Sequence, residues 1–241
     1  MNSRMNQIDA RPPPAAVLDF SPGLAPDTAG ARNRMVDTQI RPTQVSDPRI
    51  LKAMRELPRE RFVPAAAALL AYADRAVKLG DGRVLMEPRI IARMIQVAVP
   101  KAGERALVVG AGTGYAASLL TALGLRVTAL EEDTGLAETG RQVCGALAPG
   151  VRYVVGPLIA GWPSEAPYDL ILIDGAVRAL PESLAGQLAP TGRVAAVLSP
   201  EGHVGTVVLA EPSMDGLRAR PQFDAATPLI PQLLPALHFQ F

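Results

Sequence analysis

Two groups of residues in this chain have the types and spacing to do chemistry. One is a glycine turn, Gly110-Ala111-Gly112-Thr113-Gly114; the other is a pair of acids that follow it, Glu131 and Asp174. A glycine turn between a strand and a helix lets a ligand approach the backbone, and the helix start offers unpaired N–H groups. The spacing narrows the ligand. A dinucleotide site wants a further glycine three residues after the second one, and that position is Tyr115. Gly-x-Gly-x-Gly suits a ligand without a pyrophosphate, whose ribose and amino-acid tail lie over the turn. Glu131 stands at the end of the following strand, where an acid can accept both ribose hydroxyls. Glu132 and Asp133 adjoin it, so the facing acid is fixed only to within one position. Asp174 ends the apolar run Leu170-Ile171-Leu172-Ile173. It either caps the next turn through its own backbone or contacts the ligand or acceptor.

The elements around these residues read as alternating strands and helices. Ala106–Val109, Arg126–Leu130, Val151–Val155, Asp169–Ile173 and Arg193–Leu198 are short apolar runs of the kind that form buried parallel strands. Helices are expected at Tyr115–Leu123, Leu136–Leu147 and Pro181–Leu188 between them, with strands at Thr206–Leu209 and Leu217–Pro221 after them. Strand, helix, strand in succession implies right-handed crossovers and an α/β, doubly wound, mostly parallel sheet. Ahead of it, residues 35–100 form a helical N-terminal segment. Asp47 caps a helix entered at Pro48, a further helix covers Ala65–Tyr72, and Pro88 opens one that runs to about Val97; Gly80-Asp81-Gly82 is a turn. Residues 1–34, rich in Pro, Ala and Gly, are expected to be a disordered extension, with Met35 opening the patterned part of the chain. Residues 101–241 form the core with C-terminal strands, and Leu229, Leu233, Leu237, Phe239 and Phe241 are expected to pack back on it.

The block Leu57-Pro58-Arg59-Glu60-Arg61-Phe62-Val63-Pro64, followed by Ala71-Tyr72-Ala73-Asp74, Leu79-Gly80-Asp81-Gly82 and Pro88–Met94, leads into the glycine turn. In that order and spacing it resembles the protein-L-isoaspartate O-methyltransferase family. Ala166-Pro167-Tyr168-Asp169 and Gln187–Arg193 extend the similarity, which covers roughly Met35 to Pro200. The resemblance implies a class I methyltransferase (Rossmann-like) fold and S-adenosyl-L-methionine as cofactor. Gly110, Ala111, Gly112, Thr113, Gly114, Glu131 and Asp174 are then the cofactor-binding candidates. The acceptor it implies is a carboxylate, in an isoaspartyl-containing protein or a small acid. The chain departs from the family at three places. Val84, Leu85 and Met86 stand where the family presents a Thr-Ile-Ser-like stretch to the acceptor, Val108 where it has an acid, and Gly156-Pro157-Leu158 where a Gly-Asp-Gly reaches the adenine. Two other readings follow from those departures: a small-molecule O-methyltransferase with an altered acceptor site, or a non-catalytic cofactor-binding protein. No residue declares itself catalytic.

Other features are less specific. Arg59 and Arg61 flank Glu60 either as a solvated ion network or as acceptor-steering charges, Tyr72 either lines the acceptor pocket or packs, and Trp162 anchors a Gly-Trp-Pro turn. The net charge of +1 over 241 residues offers no basic surface for nucleic acid or an anionic membrane. One cysteine, Cys144, reads as a buried inert thiol in a cytoplasmic protein, and two distant histidines give no basis for a metal site. The oligomeric state is open.

Overall fold

A computed structural model describes residues 27–80 and 82–234. The central sheet has the strand order β5-β4-β3-β6-β7-β8-β9. Five of its strands run parallel: β3 (Arg105–Val109), β4 (Arg126–Glu131), β5 (Arg152–Val155), β6 (Tyr168–Val177) and β7 (Leu188–Leu198). Strands β8 (Thr206–Ser213) and β9 (Gly216–Asp224) add an antiparallel hairpin at one edge. Helices α4 (Tyr115–Ala122) and α5 (Thr134–Leu147) carry the crossovers on one side. After β5 the chain returns to lay β6 on the other flank of β3. This reversal makes a crevice beyond the carboxyl ends of β3 and β6, the usual ligand position in such sheets. Gly110 follows β3, and Asp174 lies one residue beyond the last β3-paired residue of β6, so both border it.

The N-terminal segment adds its apolar side chains to the face that α4 and α5 cover, while Leu158, Leu184, Ile230 and Leu233 cover the opposite face. Asp47 caps α2 (Pro48–Glu56) by accepting from Arg49 N, and Ile50, Ala53 and Met54 form its buried face. Helix α3 (Pro88–Ala98) buries Ile90, Ile91, Met94 and Ile95 at helical spacing. Between them Val77–Gly80 (β1) and Arg83–Leu85 (β2) pair as a separate two-stranded sheet, with Gly80 and Gly82 at φ 133° and 76°. This hairpin lies against the crevice.

Besides the β1–β2 hairpin, which interrupts a segment expected to be helical, three elements differ from the sequence expectation. The stretch expected to be helical at Pro181–Leu188 is a six-residue 3-10 turn, Glu182–Gln187, because Pro181 and Gly186 leave too few residues to propagate an α-helix. Ala65–Tyr72 is also 3-10 rather than α. The third difference is at the N-terminus. Of the extension expected to be disordered, residues 1–26 lie outside the described residues, but Thr28–Met35 is a helix, α1. Arg32 ties it down, with Nε donating to Arg55 O at 2.6 Å and Nη1 to Tyr72 Oη at 3.2 Å. Met35, Val36 and Ile40 are buried. The local sequence showed no apolar stripe because α1 is held by polar contacts to distant residues. Leu229 and Leu233 pack on the body as expected; Leu237, Phe239 and Phe241 lie outside the described residues. No helix among the described residues is long and apolar enough to cross a membrane.

The ordering of α1 has a measurable consequence. Truncation to begin at Met35 removes Arg32 from Arg55, Tyr72 and Glu60. At roughly 1 kcal/mol per lost hydrogen bond and about 2–4 °C per kcal/mol, the melting temperature should fall by about 4–8 °C. An unchanged melting curve would show that α1 contributes nothing to the domain.

Candidate cofactor crevice

The glycine turn is held from below by its neighbouring strand. Gly110 and Ala111 both donate to Leu130 O, at 2.9 and 3.0 Å. Gly110, Gly112 and Gly114 sit at φ 71°, 54° and 94°, the left-handed region that only glycine enters freely. Their roles divide. Gly110 and Gly112 face the crevice, whereas Gly114 lies under α5, where a Cβ would strike Cys144 Sγ and Tyr153 Oη. Ala111 is buried, and Thr113 turns its hydroxyl away from the crevice to Phe62 O at 2.6 Å. Of the five turn residues, Gly110 and Gly112 are therefore the ones left to meet a ligand. Thr113 and Gly114 lock the turn to the N-terminal segment and to α5.

Glu131 is fully buried at the end of β4, while Glu132 is exposed and spends a carboxylate oxygen on Leu158 N at 3.1 Å. That fixes the register left open by the sequence. Glu131 accepts from Gly112 N at 2.7 Å, Glu132 N at 2.9 Å and Asp133 N at 3.1 Å. A side chain that no motif in the sequence marks completes the set. Arg83, from β2, donates through Nη1 to both Glu131 oxygens at 2.8 and 2.9 Å and through Nη2 to Gly110 O at 2.6 Å. Both partners are nearly inaccessible, at 2% and 0% exposure.

Asp174 makes no hydrogen bond among the described residues, so it does not cap its own turn. It is buried beside the crevice, where loss of hydration pushes its carboxyl up to about 7 against the partial pull of Arg83 and Arg59. Arg59 is the larger correction. Of its two readings, the solvated ion network fails: Arg59 is fully buried, with Nε donating to Ala71 O at 2.7 Å and Nη2 to Met86 O. Its guanidinium lies 4.7 Å from the Tyr115 ring centroid. Arg59 Nη1 and Tyr115 Oη have no hydrogen-bond partner among the described residues. With Asp174, Leu85 and Met86 they border one narrow pocket. The loop from Val84 to Met86 is thus apolar in itself, yet polar groups from three other elements converge beside it. Nothing in the local sequence could show this, because Arg59, Tyr115 and Asp174 meet only through the fold. Tyr72 turns towards α1 instead, bonded to Glu60 and Arg32. Trp162 packs against Gly156, its ring 3.1 Å from where a Cβ there would stand. Cys144 is buried, which raises its thiol pKa and leaves it unreactive.

A family model described as protein-L-isoaspartate(D-aspartate) O-methyltransferase matches residues 30–214. The chain belongs to this family. Protein-L-isoaspartate O-methyltransferase of Methylorubrum extorquens is 40% identical over 195 residues, covering 81% of this chain and 86% of its own. The namesake from Methylorubrum populi is 44% identical over 175 residues, covering 73% and 82%. Among solved structures, a protein-L-isoaspartate O-methyltransferase superposes with a TM-score of 0.73 at 24% identity, covering 84% of this chain and 67% of that one. A Plasmodium falciparum chain described as the same enzyme, in complex with S-adenosyl-L-homocysteine, gives 0.70 at 17%, covering 83% and 98%. At those identities the two structures establish the class I methyltransferase fold. The family match begins inside α1, which agrees with the order of that helix.

The turn backbone and the buried acid have the chemistry to hold a ribose, but Arg83 covers that acid, and Ile230 Cδ1 stands 3.1 Å from a Gly110 Cβ position. Among the described residues, Arg83 and Ile230 thus stand on the side of the turn that a nucleoside would meet. The residue types fit the S-adenosyl-L-methionine cofactor of the family.

Proposed function

We propose that this protein is an S-adenosyl-L-methionine-dependent O-methyltransferase acting on a carboxylate, with the isoaspartyl residue of a protein chain as its acceptor. The observation that carries the proposal is the Gly110–Gly114 turn facing a buried Glu131 at the strand ends of a family member. Bound cofactor would supply the methyl group. The protein's part is positioning: holding the acceptor oxygen in line, in a site closed to water. Gly110, Gly112 and Glu131 are the proposed cofactor contacts, Ala111, Thr113 and Gly114 shape the turn, and Asp174 lies where cofactor and acceptor would meet. The absence of hydroxyls at Val84 and Met86 favours a second acceptor class, a small carboxylic acid that needs no Thr-Ile-Ser-like loop. Residence in the cytoplasm belongs to the same proposal.

Labelled methyl transfer to an isoaspartyl peptide, with the aspartyl peptide as control, tests it. Wild type should transfer slowly, because an apolar loop leaves the acceptor carboxylate short of donors in a dehydrated site. The double substitution Val84→Thr, Met86→Ser should raise the rate by about tenfold, as expected of one or two added hydrogen bonds at about 1 kcal/mol each. Fast isoaspartyl-specific transfer by wild type would remove the need for the loop hydroxyls. Cofactor binding with no transfer by either form would point to the small-acid acceptor.

A further inference from the structure

Arg83 occupies the place where a ribose is expected. Its Nη1 holds both Glu131 oxygens and its Nη2 holds Gly110 O, so one guanidinium bridges the acid and the glycine turn across the crevice floor. A ribose diol would donate to the same carboxylate, and the two donors cannot share it. Ile230 closes the crevice from above. It rides on a strap that pairs with β6 through Ala176 N to Pro228 O at 3.1 Å and Ile230 N to Ala176 O at 2.9 Å. Its Cγ1 would stand 2.6 Å from a Cβ at Gly175, and Leu158 Cδ1 3.6 Å from one at Gly110. The next residue, Pro231, lies 2.8 Å from a Cβ position on Gly82, so hairpin and strap meet each other over the site.

We infer that Arg83 is a built-in competitor for the cofactor: the resting protein is closed by the Arg83–Glu131 pair under Ile230, and the nucleoside enters only when the β1–β2 hairpin withdraws. The inference rests on reading Gly110–Gly114 and Glu131 as the cofactor site. Two features make the exchange physically reasonable. The hairpin is a separate two-stranded sheet, so moving it breaks no hydrogen bond of the seven-stranded sheet. Glu131 also keeps three backbone N–H donors after Arg83 leaves, from Gly112, Glu132 and Asp133. The acid therefore stays oriented for a diol, while the released guanidinium regains its hydration. Apparent affinity falls by the fraction of molecules that are open, so an occupant of this kind sets the cofactor concentration at which the protein responds.

Calorimetric titration of S-adenosyl-L-homocysteine into the full chain tests this, with wild type compared to Arg83→Gln and Ile230→Ala. Circular dichroism verifies that each is folded. Both variants should bind at least tenfold more tightly than wild type. Ile230→Ala leaves the ion pair intact, so it decides the matter if Arg83→Gln does not fold. Wild-type binding with no gain in either folded variant would overturn the competitor and leave the cofactor reading standing. Folded variants that bind no better than a silent wild type, even at millimolar ligand, would overturn both.

Discussion

Replacing Glu131 by Gln is expected to lower the unfolding free energy by about 3–5 kcal/mol, the cost of leaving a buried arginine without its counter-ion. Arg83 is 2% exposed and its Nη1 has no other acceptor among the described residues. A glutamine keeps one carbonyl oxygen, yet that oxygen must serve the arginine and three backbone N–H groups, and its own NH2 points at donors. At about 2–4 °C per kcal/mol the melting temperature should drop by roughly 6–20 °C. The converse substitution, Arg83→Gln, should cost much less, because Glu131 retains its three backbone donors. Glu132→Gln should be nearly silent, since that side chain is exposed and its amide oxygen can still accept from Leu158 N. Thermal melts of the three variants in one buffer test the ordering. Similar losses for Glu131→Gln and Glu132→Gln would mean that the pair is not closed in solution.

Asp174→Asn is expected to stabilise the protein in alkaline solution and to do nothing in acid. Burial raises the Asp174 carboxyl from 3.8 to about 7 in the fold. Below about pH 4 both folded and unfolded chains hold the proton, and the residue adds no pH dependence. Between pH 4 and 7 the unfolded chain ionises first, the folded chain binds more protons, and stability falls as pH rises. Above pH 7 both are ionised and the whole penalty remains. The gap corresponds to ~4 kcal/mol at about 1.4 kcal/mol per pH unit. Asparagine has no charge to bury, so its melting temperature should exceed that of wild type at pH 8 by about 8–16 °C and match it near pH 4. Denaturation curves at the two pH values read this directly. A difference that does not depend on pH would show that Asp174 titrates like an exposed carboxylate.

Cofactor chemistry and hairpin closure join at Arg83. The pair that stabilises the closed form is the one a ribose would have to break, so stability and ligand affinity should change in opposite directions there. That trade is common where a binding site is also a packing site.

Much of the core could be read along the chain because its determinants are local. Continuous apolar runs bounded by charge and glycine marked β3, β4 and β6, and the strand–turn–helix order fixed the direction of the sheet. Asp47-Pro48 marked the start of α2, since a capping oxygen and a missing N–H act within one turn. The glycines at 110, 112 and 114 were legible for the same reason: positive φ is a property of single residues. The motif around Arg59 identified the family but not the place of its side chain.

What the chain could not show locally was who meets whom. Helix α1 has no apolar stripe and is ordered by Arg32 reaching Arg55 and Tyr72. Glu131 was chosen over Glu132 by which face of β4 turns inward, and Arg83 became its partner because the hairpin folds over the strand ends 48 residues away in sequence. Arg59, Tyr115 and Asp174 come from a 3-10 turn, a helix and a strand, and only the packed domain gathers them around one narrow pocket. The sequence determined the elements and the family, because propensity, capping and turn geometry are short-range. Tertiary structure alone decided that Arg83 sits on Glu131, because a buried charge takes whichever counter-charge the fold brings within hydrogen-bond reach.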